Sequence, residues 1–303
     1  MTEDWIDAPW KYPWCHFPFD AWNPVQRRCA VHFEEDCNLV LSASTASGKS
    51  AVGEAIMGHA IGNGRKAVYV SPLKAIGDEK HAAWSRHETF SRHGIVKLSS
   101  DTDVSPGELE EASLVVSTIE SLHIRCRARE RWLAKAGALV FDEAHLIGDE
   151  SRGAGSEAMV MELTALNPSC RVVLLSGTMG NALEMAKWLK ACNGKPTKYV
   201  TSQWRPQRLE KRVVVADTRP RTKDALLKIA ADGRDGKTLV FVHSMAAGKE
   251  ACGWLRDNGF RCAFYSGSLR PEDRDAMLAD FRSPVSGLDI LVSTSALGAG
   301  VTL

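Results

Sequence analysis

The stretch "SASTASGKS", Ser42 to Ser50, departs at one position from the phosphate-loop pattern G-x-x-x-x-G-K-[ST]. Gly48, Lys49 and Ser50 fit the pattern, and Ala43 stands where the first glycine is usual. Context decides between a site and a coincidence. A phosphate loop follows a strand and opens a helix, so that its N–H groups and the helix N-terminus face one anion. "NLVLSA" (38–43) reads as a strand, and "SAVGEAIMGHAIGNG" (50–64) carries apolar residues at helical spacing up to a Gly-Asn-Gly stop. A relaxed match with alanine first arises by chance in roughly a few per cent of chains of this length. The strand and helix on either side therefore favour a nucleotide site. The first position needs only a small residue. Gly48 must let the backbone approach a phosphate, Lys49 supplies a point charge, and Ser50 is a candidate Mg²⁺ ligand. Thr45, Ala46 and Ser47 complete the cradle.

A second element supports the first. "ALVFDEAH" (138–145) is an apolar run that ends in two adjacent acids. On a parallel strand those acids sit at the C-terminal edge, where ligands of open α/β sheets bind. Asp142 is placed to hold Mg²⁺, and Glu143 to orient and deprotonate an attacking water. Taken alone, the pair reads equally well as an acidic helix start. With the loop, it points to ATP hydrolysis, with ATP and Mg²⁺ as cofactors.

Around these elements apolar runs alternate with helical segments. Strands are expected at 38–43, 66–71, 94–98, 113–118, 138–143 and 171–176. Helices are expected near 50–61, 75–92, 119–131, 156–166 and 180–191. Continuous apolar strands separated by helices predict a parallel sheet covered on both faces. The rhythm breaks at "CNGKPTKYVTSQWRPQRLEKR" (192–212), which reads as an interdomain linker. It resumes with strands at 237–242, 261–266 and 288–294 and helices at 244–258 and 270–281. The fold class is α/β, with two parallel-sheet domains, the second incomplete.

Composition excludes little. The 303 residues carry 38 Lys plus Arg against 37 Asp plus Glu, a net charge of +1, so any polyanion site must be local. The eight cysteines form no C-x-x-C pair and read as small buried hydrophobes of a reducing compartment. The first residues lack the pattern of a secretory leader, and no apolar run is long enough for a bilayer. A cytoplasmic protein without a membrane partner is expected.

At this point the residues resemble a family, the superfamily-two DExH helicases, and within it the superkiller-like group. "FPFDAWNPVQ" (17–26) is similar to the adenine-recognition segment, with Gln26 as base reader. "STASGKS" (44–50) is similar to motif I, "SPLKAIGDEK" (71–80) to motif Ia, and "VVSTIESL" (115–122) to motif Ib, with Ile119 where proline is usual. "DEAHLIGDESRG" (142–153) resembles motif II. "LSGTMGNALEMAKWL" (175–189) resembles motif III, with Gly177 in place of alanine. "QWRPQRL" (203–209), "LVFVHS" (239–244), "YSGSLRPEDRDAMLADFR" (265–282) and "STSALGAGVTL" (293–303) are similar to the entry of the second domain, motif IV, the group's second-domain signature and motif V.

The resemblance implies two RecA-like domains. Residues 1–202 would hold an N-terminal arm and the first, ATP-binding domain, and 203–303 part of the second. It implies ATP held between them, with Ser176, Gly177 and Thr178 coupling hydrolysis to movement. Pro72, Lys74, Thr118, Ser244 and Thr294 would line a single strand of DNA or RNA, with strand-end capping as the plainer role for each hydroxyl. The implied activity is 3′-to-5′ translocation or unwinding. No "Q-x-x-G-R-x-G-R" occurs in the sequence, so the chain alone is expected to turn over slowly and not to unwind. Either the chain is a piece of a longer one, or a further polypeptide supplies that motif. Two other readings stand beside this one: an ATP-gated binding module without productive turnover, and an ATPase that remodels protein.

Three features are assigned plainer roles. Trp5, Trp10, Trp14 and Trp22 are read as packing an N-terminal arm. The arginines of "HIRCRARERW" (123–132) are read as a solvated helix face, and His81, His87 and His93 lack metal-ligand spacing.

Overall fold

The computed structural model describes residues 6–7, 21–86, 88–150, 153–177, 179–233, 236–283, 285 and 287–294. The chain divides into two compact units, Met1–Arg208 and Leu209–Leu303. Trp5, Trp10, Trp14, His87, Thr178 and the segment 295–303 lie outside the described residues.

In the first unit, a short pair β1 (Ile6–Asp7) and β2 (Ala21–Trp22) leads into α1 (Pro24–Ala30). Asn23 starts that helix: its side chain accepts the Val25 and Gln26 N–H groups, Gln26 answers the Asn23 N–H, and Pro24 opens the first turn. There follow β3 (Asn38–Ala43), α2 (Lys49–Gly62), β4 (Lys66–Ser71), α3 (Lys74–Ser85), α4 (Glu88–Ser91), β5 (Ile95–Leu98), α5 (Pro106–Glu111) and β6 (Leu114–Thr118). Then come α6 (Ile119–Arg127), β7 (Ala136–Phe141), α7 (Gly153–Leu166), β8 (Arg171–Ser176), α8 (Ala182–Asn193) and β9 (Thr197–Ser202).

Seven of these strands form one parallel sheet in the order β5-β6-β4-β7-β8-β3-β9. Every residue of β3, β4 and β8 is buried. Two apolar clusters form within this unit. Val52, Ile56, Tyr69, Trp84, Val140 and Leu175 belong to one, and Leu122, Trp132, Leu139, Phe141, Val160 and Leu174 to the other. This is the expected sheet covered on both faces. Trp22 is buried in the first cluster, edge-on to Phe33 at 5.6 Å, which agrees with a packing role.

Several expectations need correction. The segment 192–212 is not linker throughout, because β9 pairs with β3 over its whole length. Only Val200 of its six residues is buried, so no apolar pattern marked it. Asn38 secures this edge: its amide N–H₂ donates to Asn193 Oδ1 at 2.9 Å and Thr197 Oγ1 at 3.0 Å, and its carbonyl accepts the Val172 N–H at 2.9 Å. The expected helix at 75–92 is two helices, and that at 119–131 ends as α6 before a 3₁₀ turn at Arg131–Lys135. Strand β7 stops at Phe141, so both acids lie beyond it rather than on it.

The second unit contains α9 (Arg219–Asp232), which the sequence reading did not anticipate; only Ala230 of this helix is buried. Next come β10 (Thr238–Phe241), α10 (Met245–Asp257), β11 (Cys262–Tyr265), α11 (Pro271–Arg282) and β12 (Ile290–Ser293). The three strands form a parallel sheet in the order β10-β12-β11. The α/β class with two parallel sheets, the second smaller, is as expected. Cys29, Cys37, Cys126, Cys170, Cys252 and Cys262 are free and buried. Among the described residues no helix is long and apolar enough to cross a membrane.

Candidate nucleotide site

Parallel strands bring all their C-terminal ends to one edge of a sheet. On that edge of the first unit lie the loop after β3, Ser71 at the end of β4, Thr118 at the end of β6, Asp142 after β7 and Ser176 at the end of β8. The strand order places β7, β8 and β3 side by side, so loop, acids and Ser176 share one stretch of the edge. Pro72 and Lys74 follow β4, and Thr118 ends β6, on the far side of β7.

The loop is tightly bent. Ala46 has φ 62° and Gly48 has φ 78°, both left-handed. Gly48 has a second constraint: a Cβ there would come within 2.3 Å of Gln26 Nε2. Helix α1 grips the loop from outside, because Asn23 Nδ2 donates to the Ser47 carbonyl at 3.0 Å and Gln26 Nε2 to the Gly48 carbonyl at 3.3 Å. Gln26 is buried, and its amide faces the loop backbone. Thr45 and Ala46 are exposed, and Ser50 is half-buried in the first turn of α2.

The loop meets the requirements of a phosphate group. Gly48 has no side chain, which lets the loop backbone pack directly against the Gln26 amide. Ser47 Oγ is buried without a hydrogen-bond partner. The Lys49 ammonium lies at the loop, donating to the Ala43 and Ser44 carbonyls at 3.0 and 3.1 Å. Burial holds the Lys49 pKa below its ordinary value, opposed by the nearby carboxylates of Glu143 and Asp142. A half-buried cation whose burial disfavours its charge gains from an added negative partner such as a phosphate.

The acids are also fixed. Asp142 is buried, and its Oδ2 accepts the Tyr69 hydroxyl at 2.6 Å while its Oδ1 accepts the Glu143 N–H at 2.9 Å. Glu143 has φ 51°, a strained value for this residue type. Burial, and then the neighbouring Asp142, push the Glu143 pKa up. Burial likewise keeps Tyr69 protonated well past its ordinary range. Beyond Glu143, His145 Nδ1 lies 3.4 Å from Glu143 Oε2 and 3.4 Å from Ser176 Oγ. This contact joins the acid turn to the end of β8. Ser42 joins β3 to the following loop through the Gly177 carbonyl and the Met179 N–H.

Sequence reasoning missed Asn23, Ser42, Tyr69 and His145. Tyr69 had a signal: a phenol inside a fully buried strand needs a hydrogen-bond partner. His145 was visible as the fourth letter of "DEAH".

The proposed nucleic-acid residues are less converged. Lys74 and Thr118 line one shallow cleft with Gly77, Asp78, Lys97 and Ser99. There Lys74 is paired with Asp101, and Lys97 with Asp78 at 2.8 Å. Thr118 caps α6 by accepting the Ser121 N–H at 3.3 Å. Pro72 is buried. In the second unit Ser244 caps α10 by accepting the Ala247 N–H at 3.2 Å, and Thr294 follows β12. The Thr118 and Ser244 hydroxyls thus cap helices.

A phosphate loop, an acid pair and a parallel sheet arranged in this way define a P-loop nucleotide-binding fold. Within that class the comparisons are specific. Residues 23–186 match the DEAD/DEAH box helicase family, and residues 221–303 match the helicase conserved C-terminal domain. The chain belongs to the DEAD/DEAH box helicase family. It is 34% identical over 214 residues to an ATP-dependent DNA helicase Hel308 of Pyrobaculum calidifontis, covering 71% of this chain and 29% of that protein. It is 37% identical over 180 residues to an ATP-dependent DNA helicase Hel308 of Thermococcus kodakarensis, covering 59% of this chain and 15% of that protein. The chain thus spans less than a third of the length of these relatives.

Proposed function

We propose that this chain is the nucleotide-binding part of a nucleic-acid-dependent ATPase, acting in the cytoplasm as a DNA translocase or helicase with 3′-to-5′ polarity. The observation that carries the reading is the meeting of Lys49, Asp142 and Glu143 at one stretch of the sheet edge, where both carboxylates lie close enough to act on the Lys49 ammonium. The first unit is the ATP-binding domain and the second is the helicase C-terminal domain.

Lys49 and the N–H groups of Thr45, Ala46, Ser47 and Gly48 hold the phosphates. Ser50 and Asp142 hold Mg²⁺, which when bound neutralises charge on the phosphates. Glu143 takes the proton of the attacking water. Gln26 reads the base with the amide N–H and lone pair left beyond its bonds to Asn23 and Gly48. Ser176, Gly177 and Thr178 couple hydrolysis to movement, with His145 between Ser176 and Glu143. Pro72, Lys74, Thr118, Ser244 and Thr294 carry the strand. DNA is the proposed substrate because the relatives are named DNA helicases.

The test is the ATPase rate of the 303-residue chain alone, with single-stranded DNA and with single-stranded RNA. Stimulation by DNA supports the reading, and stimulation by RNA alone changes the substrate. A rate unmoved by either, with nucleic acid still bound, would instead favour an ATP-gated binding module.

A further inference from the structure

We propose that Tyr69 is a positioning residue that holds the Asp142 carboxylate in the orientation a divalent ion requires. The inference rests on the nucleotide-site reading above and assigns a residue that reading does not use. Tyr69 lies on β4, which pairs with β7 and is separated from β3 by β7 and β8, outside both the phosphate loop and the acid pair. Its hydroxyl donates to Asp142 Oδ2 at 2.6 Å, within the short range of hydrogen bonds to an ionised acceptor. The other oxygen of the same carboxylate takes the Glu143 N–H at 2.9 Å. Each carboxylate oxygen has two lone-pair positions. One on each oxygen is therefore occupied by protein, and the carboxylate can turn only by breaking one of these bonds.

The tyrosine is itself held. It is 1% exposed, and its ring meets Trp84 edge-on at 4.9 Å with planes at 88°. The Trp84 indole N–H in turn donates to Glu54 Oε1 at 3.0 Å, and Glu54 lies on α2, the helix that begins with Lys49. The phenol thus cannot follow a moving carboxylate, and the support of Asp142 is referred back to the helix that carries the loop. A phenylalanine at this position would keep the ring contact and leave Oδ2 buried without its donor. The loss falls on metal holding because Tyr69 touches Asp142 and no part of the phosphate loop in the contacts described.

The test uses the full chain and a fluorescent non-hydrolysable ATP analogue. Its affinity is measured for the parent, Tyr69→Phe and Lys49→Ala, in EDTA and across a titration with Mn²⁺ and Mg²⁺. For Tyr69→Phe the metal-free affinity should stay with the parent, while the metal concentration for half-maximal tightening rises about 10- to 100-fold, the range for lost support of a metal ligand. An unchanged metal midpoint overturns the proposal. So does an equal loss with and without metal, which would make Tyr69 merely structural. If the Phe variant does not fold, Tyr69→Met fills the position without a hydroxyl and should show the same selective loss. A parent that binds no analogue even with metal fails the nucleotide-site reading, and the proposal falls with it. Lys49→Ala marks that case apart, since it should weaken binding in EDTA as well.

Discussion

The Ser42 hydroxyl accepts the Met179 N–H at 2.7 Å and lies 3.0 Å from the Gly177 carbonyl. The strand that feeds the phosphate loop is thereby tied to the segment after Ser176. Ser42→Ala removes this tie and should cost about 1 kcal/mol of stability, the usual net worth of such a bond. Nucleotide affinity should stay close to the parent's, while stimulation of the ATPase by single-stranded DNA falls. Urea unfolding and a DNA titration on one preparation measure both. Unchanged stimulation would show that the tie is only structural.

Lys49→Ala should abolish ATP hydrolysis and weaken ATP binding. The ammonium sits on the loop carbonyls, where burial favours any added negative partner. Calorimetric titration with ATP and a phosphate-release assay check it, with circular dichroism confirming the fold. Parental hydrolysis by the variant would refute the site assignment.

Glu143→Gln should leave ATP binding largely intact and slow hydrolysis by roughly two to four orders of magnitude, the range for a lost general base. The pH profile gives an independent check. Burial raises the Glu143 pKa above its ordinary value of 4.5, and a base must be deprotonated to act. Activity should therefore be lost as pH falls through that raised value, at a higher pH than an ordinary glutamate would give. The same shift acts on stability with the opposite sign. A raised carboxyl pKa favours the neutral form in the folded state, so its contribution is full at low pH and lost as pH rises through the folded value. The Gln variant should then be slightly more stable than the parent at neutral pH. A profile centred at or below 4.5 would show that Glu143 is not the group observed.

Gly48→Ala should disable the loop by two routes. The left-handed φ of 78° costs a side chain about 1–2 kcal/mol. The new Cβ would also meet Gln26 Nε2 at 2.3 Å and displace the amide that anchors the loop. Unfolding by urea should show the stability loss, and ATP affinity should drop with it. Parental affinity would mean the loop tolerates a different path.

Binding to single-stranded nucleic acid should depend only weakly on salt. In the cleft that Lys74 and Thr118 share, Lys74 and Lys97 are each paired with a carboxylate of the same unit. Few cations are then left to release counterions, so the log–log slope should be no steeper than about −5. A steeper slope would point to a basic surface elsewhere.

Much of this was written locally in the chain. The strands β3, β4 and β8 matched their expected bounds because continuous apolar runs are local and leave little choice of partner environment. The loop and the acid pair were legible because strand, turn and helix signals lie next to one another in sequence. Chemistry carried by a distant partner was not legible. Tyr69 and Asp142 are 73 residues apart, and Asn23 and the Ser47 carbonyl 24 apart. Neither meeting follows from spacing.

By itself, then, the sequence determined the α/β class and the two sheets, and it set the candidate loop and acids beside the strands and helices that frame them, since periodicity and adjacent motifs are properties of short segments. The tertiary structure alone decided the strand order, which sets β7, β8 and β3 side by side and separates the nucleotide residues from Pro72, Lys74 and Thr118. It also decided that "TKYVTS" is an edge strand, held by Asn38, and that Glu143 turns out of line at a left-handed φ. The physical reason is common to all three. Pairing and packing between remote segments select one arrangement among several that the same local preferences allow.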